Sequence, residues 1–122
     1  MIPLIEQVET FHKKYAPDTL SSGKASAISK ETEEFRFKFL CEEMSELAEA
    51  LEKGDEAEEL DAYVDICWVV IGSALSRFGY NAFADACAAV YEDNMKKVKL
   101  EGITKIQKPE GWKSPDIKSI VS

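Results

Sequence analysis

Histidine is almost missing from this chain: His12 is the only one in 122 residues. That shortage excludes metal centres built on imidazole. A ferritin-like di-iron bundle needs a Glu-x-x-His motif on each of two helices, and an HD-type phosphohydrolase is disfavoured for the same reason. Cysteine is sparse too. Cys41, Cys67 and Cys87 form no CxxC pair and fall within helical periodicity. They read as reduced thiols in or near the core of a cytoplasmic protein. No signal-peptide pattern opens the chain. No long hydrophobic run is present: the longest stretch without a charge, Ile66–Ser76, falls short of the roughly 20 residues of a bilayer span. No segment alternates as a strand should, and no repeat, low-complexity tract or internal boundary is visible. A basic excess is also missing. The formal charge of −8 argues against a nucleic-acid surface.

What remains is a soluble, helix-forming composition, 45% hydrophobic and 31% charged. It suits one domain over residues 1–122, with a helical core at 1–100 and a basic tail at 101–122. A chain of this length buries only about two-thirds of its unfolded surface, so association with further copies would supplement the core. The charge is divided. Residues 31–61 carry thirteen acids and three bases, whereas residues 96–118 carry seven lysines and three acids. An acidic centre with a basic tail suits a metal together with phosphate; a solvated acidic helix beside an ordinary basic end gives the same count.

Four helices cover most of the chain, an all-α architecture. Leu4, Val8, Phe11 and Tyr15 recur at helical spacing, and Pro17 ends the first helix. Residues 17–30 read as a flexible loop, long enough to serve as a lid. The second helix spans about residues 31–53, with Leu40, Met44, Leu47 and Leu51 as its apolar stripe and Gly54 as its stop. The third spans about 56–78, with Leu60, Val64, Trp68, Ile71 and Leu75 on one face and Gly79 after it. Its second half is apolar nearly all round, which predicts burial in the centre or between subunits. The fourth spans about 82–100, with Phe83, Cys87, Val90 and Val98 inside. Beyond it Gly102, Pro109, Gly111 and Pro115 break regular structure.

The acids carry the chemistry. Glu43 and Glu46, three apart, project from one flank of the second helix, with Glu42 beside them. Asp61 and Asp65, four apart, stack on the third. Asp65 stands inside an otherwise apolar run, where an unpaired carboxylate is costly. A short turn at Gly54 makes the two helices antiparallel neighbours and brings the acid pairs to similar height. Oxygen donors without nitrogen or sulfur favour a hard cation such as Mg²⁺ or Mn²⁺. Solvated acidic faces are common on helices, and it is Asp65 that tips the reading toward a metal. Asn94 continues the stripe of Phe83, Cys87 and Val90, so it is read as pointing inward, where an amide needs partners. Lys97 follows one turn later. The pair suits substrate hydroxyls or phosphate, or equally a helix-bridging amide and a surface lysine.

The segments FLCEEMSELAEALEKGD, ELDAYVDICWVVIGSALSRFGY, VYEDNMKKV and ITKIQKPEGWKSPDI, in this order, resemble the all-α nucleoside triphosphate pyrophosphohydrolases. That superfamily includes MazG, the dimeric dUTPases and phosphoribosyl-ATP pyrophosphohydrolase. The likeness covers about residues 35–118 and is nearest to the short MazG-like proteins of phages and bacteria. It implies a four-to-five-helix bundle completed by oligomerisation, as a homodimer or a dimer-of-dimers tetramer. It implies hydrolysis of a nucleoside triphosphate, such as dGTP, between the α and β phosphates, with phosphoribosyl-ATP hydrolysis as the alternative. A non-catalytic nucleotide-binding helical dimer is the reading from another class.

The resemblance also assigns residues. Glu43, Glu46, Asp61 and Asp65 would hold two or three Mg²⁺ ions at the triphosphate, with Mn²⁺ as an alternative. The later pair departs from the frequent ExxD pattern, since Ala62 stands three before Asp65, and Asp61 supplies a DxxxD version instead. Glu42 or Glu43 would orient or deprotonate the attacking water. Asn94, Lys97 and Lys108 would bind substrate, with Lys105 in the segment that closes over it. Trp68, Phe39 and Tyr15 are candidates to stack on the base, though each also reads as core.

Overall fold

The computed structural model describes residues 3–21, 28–97 and 110–121. Those residues are helical and contain no strand, so the fold is all-α as the periodicity predicts. Helix α1 spans Leu4–Tyr15 and stops before Pro17, which opens a 3₁₀ turn at Pro17–Thr19. Residues 22–27 of the loop expected over 17–30 lie outside the described residues. Its first part is pinned, because Ser21 N–H donates to the Leu75 carbonyl at 3.2 Å.

Helix α2 spans Lys30–Lys53 and α3 spans Glu56–Asn94. Capping explains both starts. Ser29 accepts from Thr32 N–H at 3.1 Å, and Asp55 accepts from Glu58 N–H at 3.1 Å. Each satisfies a donor that the first turn leaves open. Gly54 lies in the left-handed region with φ 67° and closes α2, the reversal that lays α3 antiparallel on α2.

Helix α3 is continuous except at Gly79, whose φ of 84° and ψ of 170° are non-helical. The break divides α3 into a first arm (56–78), which matches the third helix read from sequence, and a second arm (80–94); the fourth helix, read as about 82–100, ends at Asn94, and Val98 lies outside the described residues. A side chain at Gly79 would be strained at that φ. Tyr80 O–H donates to Glu6 Oε1 at 2.5 Å and fastens the start of the second arm to α1.

Helix α3 is the hub: α1, α2 and the short C-terminal helix α4 (Ile117–Val121) all pack on it. Helix α4 lies in the tail that the glycines and prolines suggest is irregular. Leu75 and Val8 are fully buried at the α1–α3 contact, with Val69, Ala62, Ala50 and Ala82 extending the core. By length and hydropathy alone, α3 contains a window able to cross a bilayer. The core helix of a soluble bundle has the same composition.

Several positions expected to be core are not. Met44, Leu51, Leu60, Val64 and Val90 are exposed, and so are all three cysteines. Asn94 is exposed as well, and its neighbour Asp93 is the buried residue. The physical reason is geometric. Among the described residues, α1 lies over one side of the α2–α3 hairpin and no element covers the other. The bare side is regular: Phe37, Met44 and Leu51 recur every seven residues on α2, and Tyr63 and Val70 do so on α3.

Candidate metal and substrate site

Antiparallel packing of α2 on the first arm of α3 brings Glu43, Glu46 and Asp65 together. One carboxylate oxygen from each lies within 4.8 Å of the others. Glu43 and Asp65 are half-buried in the seam, and Glu46 is exposed at its edge. The carboxyl of Glu43 is pushed up, first by burial and then by the charges of Glu46 and Asp65, with a hydrogen bond to Glu46 and the charge of Asp61 adding to the shift. Asp65 is pushed up by burial first, then by the charge of Asp61 and a hydrogen bond with it, then by Glu46. Asp61 is exposed and flanks the cluster from one turn earlier.

Every group that perturbs these two carboxyls is another acid, so the cluster is short of positive charge. Glu43 Oε2 is buried without a hydrogen-bond partner among the described residues. A buried acceptor of this kind is costly to leave unmatched. A divalent cation would supply the missing partner and offset the repulsion. The donor set is oxygen only, which fits Mg²⁺ or Mn²⁺. Glu43, Glu46 and Asp65 would hold such an ion, with Asp61 at its margin.

Glu42 stands apart. It is exposed and shares an open groove with Phe35, Lys38 and Phe39 on another flank of α2. Asn94 ends the second arm, beyond the Gly79 break, and Lys97 follows the helix by three residues; neither is in the cluster. Lys97 is half-buried, its Nζ 5.9 Å from the centre of the Trp112 ring. Lys105 and Lys108 lie outside the described residues.

An aromatic group borders the acids. Trp68 follows Asp65 by one turn and meets Phe11 edge-on, with ring centres 5.6 Å apart. Phe11 also meets Tyr15 at 5.0 Å. Trp68 is half-buried, whereas Phe11 and Tyr15 stay exposed at 48% and 65%. Of the three base-stacking candidates, Trp68 and Tyr15 belong to this group and Phe39 does not.

Sequence reasoning passed over the cross-link beside the acids. Arg36 Nε–H donates to Ser73 Oγ at 2.9 Å, and Nη2–H donates to the Val69 carbonyl at 3.3 Å. His12 packs against the same spot. A Cβ built on Gly72 would stand 2.6 Å from Arg36 Nη2 and 2.8 Å from His12 Nε2. Only a glycine leaves that space. One signal was available: Arg36 precedes Glu43 by seven residues, on the same stripe of α2.

Comparison with known proteins adds one match. A family model described as phosphoribosyl-ATP pyrophosphohydrolase matches residues 8–79, more than half of the chain. The match contains Arg36, Glu43, Glu46, Asp61 and Asp65 and ends at the Gly79 break. None of the curated proteins compared with the chain matches it.

Proposed function

The chain belongs to the phosphoribosyl-ATP pyrophosphohydrolase family, and from that premise we propose that it hydrolyses a nucleoside triphosphate between the α and β phosphates. Nucleotide pyrophosphohydrolase activity is the property of the family as a whole. The products would be a nucleoside monophosphate and pyrophosphate. The observation that carries this reading is the three-carboxylate cluster of Glu43, Glu46 and Asp65 with its orphaned buried oxygen.

Two or three bound Mg²⁺ ions, or Mn²⁺ in their place, would offset the charge of the polyphosphate and activate water. The chain's own residues do the rest. Glu43, Glu46 and Asp65, helped by Asp61, hold the ions. Glu43 is better placed than Glu42 to orient the attacking water and take its proton. It is half-buried within the cluster, where a carboxylate can be positioned on a water. Phe11, Tyr15 and Trp68 offer a stacking surface for the base one turn from Asp65. Lys97 and Lys108 would stabilise negative charge on the pyrophosphate side, with Asn94 as a further substrate contact.

The uncovered stripe of Phe37, Met44, Leu51, Tyr63 and Val70 supports a homodimer or a dimer-of-dimers tetramer. A contiguous apolar face of this kind is uncommon on a monomer.

The test is a panel of ribo- and deoxynucleoside triphosphates, dGTP included, with Mg²⁺ or Mn²⁺ and pyrophosphate as the readout. Phosphoribosyl-ATP belongs in the panel, because the matching family model carries its name. Metal-dependent pyrophosphate release that is lost in Glu46→Gln and Asp65→Asn supports the proposal. Nucleotide binding without any release would leave a non-catalytic helical dimer instead. Release that survives Asp65→Asn would remove that residue from the site.

A further inference from the structure

Arg36 is a part-buried guanidinium that makes no ion pair among the described residues. Charged side chains are seldom placed so unless paired. Its two partners are themselves bonded, so the three hydrogen bonds form a closed set. Nε–H reaches Ser73 Oγ, Nη2–H reaches the Val69 carbonyl, and Ser73 O–H donates to that same carbonyl at 2.9 Å.

His12 closes the other side in a defined state. Thr19 spends its one hydroxyl proton on the Ala16 carbonyl at 2.7 Å. Its oxygen can therefore only accept from His12 Nδ1, 3.2 Å away. Nδ1 thus carries a proton, and Nε2 faces Gly72 and the guanidinium. A planar fork held on two sides has little freedom.

The place of this tie gives it a consequence. Arg36 and Glu43 share one stripe of α2. Val69 and Ser73 lie one and two turns beyond Asp65 on α3. The Arg36 contacts and the Glu43–Asp65 contact therefore belong to one antiparallel register. The other α2 contacts in the seam are apolar, from half-buried Leu40 and Leu47 and buried Ala50, and such packing is non-directional. Among the described residues, the hydrogen bonds joining α2 to α3 come from Arg36. A rotation of α2 by one residue would carry Glu43 and Glu46 away from Asp65. Mutual repulsion of the acids favours such a movement.

We infer that Arg36 is a positioning residue: its fork onto Ser73 and Val69 sets the rotation of α2 that brings Glu43 and Glu46 to Asp65. The inference rests on the reading that this cluster holds a divalent cation. The mechanism is preorganisation, in which rigid supports fix the ligands before the ion arrives.

The experiment is Mn²⁺ binding to the full chain, followed by the loss of the free-ion EPR signal well below the melting temperature. Arg36→Lys keeps the charge and loses the fork. We expect it to weaken Mn²⁺ affinity by about tenfold, the lower end for loss of groups that orient metal ligands. Ser73→Ala removes one acceptor, leaves the Val69 bond, and should lose less in the same direction. Arg36→Met deletes a positive charge that is not among the groups perturbing Glu43 or Asp65, so by charge alone it would not weaken cation binding. Weaker binding in that variant therefore supports positioning over electrostatics. Arg36→Lys that melts earlier but binds Mn²⁺ as tightly as the parent overturns the inference. If Arg36→Lys does not fold, unchanged affinity in Ser73→Ala overturns it. A parent protein that takes up no Mn²⁺ defeats the metal reading, and this inference with it, an outcome distinct from equal affinity in parent and variant.

Discussion

Replacing Glu43 by glutamine should make the protein more stable without metal and less stable than the parent with it. The perturbation is nearly isosteric and removes one charge from a group whose oxygens lie within 4.8 Å of two others. Coulomb's law puts each such repulsion at about 1 kcal/mol in a water-like dielectric and about 3–4 kcal/mol at an effective value near 20. Glu46 is exposed, so solvent and salt hold the gain to the low end, about 1–2 kcal/mol for the two contacts together. For a domain of this size that raises Tm in EDTA by about 3–10 °C. The parent gains about 2.7 kcal/mol from Mg²⁺ at a hundred times its Kd, and the variant should gain little.

The two melting curves therefore exchange order when Mg²⁺ is added, which differential scanning calorimetry reads directly. The pH dependence checks the cause. Glu43 has its folded-state pKa raised above the unfolded value of about 4.3. Its contribution to the metal-free protein is therefore favourable below that unfolded value and is lost as pH rises through the folded one. The Tm gap between variant and parent in EDTA should close as pH falls below about 4. A variant that melts no higher than the parent in EDTA, and keeps the full Mg²⁺ response, would refute the reasoning.

Three further outcomes follow from the packing. Gly72→Ala drives a methyl against Arg36 and His12 and should cost about 1–3 kcal/mol, seen as a lower urea midpoint with an unchanged slope. His12 has its pKa lowered by burial first and then by Arg36. Its neutral form is favoured on folding, so stability is present above the unfolded value of about 6.5 and is lost as pH falls below it; His12→Gln should flatten that part of the Tm–pH curve. Phe37→Asp together with Val70→Asp places charge on the bare face of the hairpin. Sedimentation should show the parent as a dimer or tetramer at micromolar concentration and the double variant as a monomer, and a monomeric parent would contradict the proposed assembly.

The local signals in the chain were strong, and they account for what was legible. Ser29 and Asp55 are good N-caps, Gly54 is a good terminator, and the apolar spacing has a helical period, so α1, α2 and the first arm fall within a residue or two of their expected bounds. The same spacing located the acids, because side chains three or four residues apart must share a helical flank. Short-range rules of this kind depend on neighbours along one helix and need no partner.

The tertiary structure decided what depends on two helices at once. It selected Glu43 over Glu42 for the cluster, since the rotation of α2 against α3 determines which of two adjacent glutamates enters the seam. It joined His12, Arg36 and Gly72, whose separation along the chain hides a contact made by three helices. It also showed that Met44, Leu51 and Val90 stay uncovered in one chain. A periodic apolar stripe states only that something must cover it, and whether that cover comes from the same chain is decided by how many elements the fold has to spend.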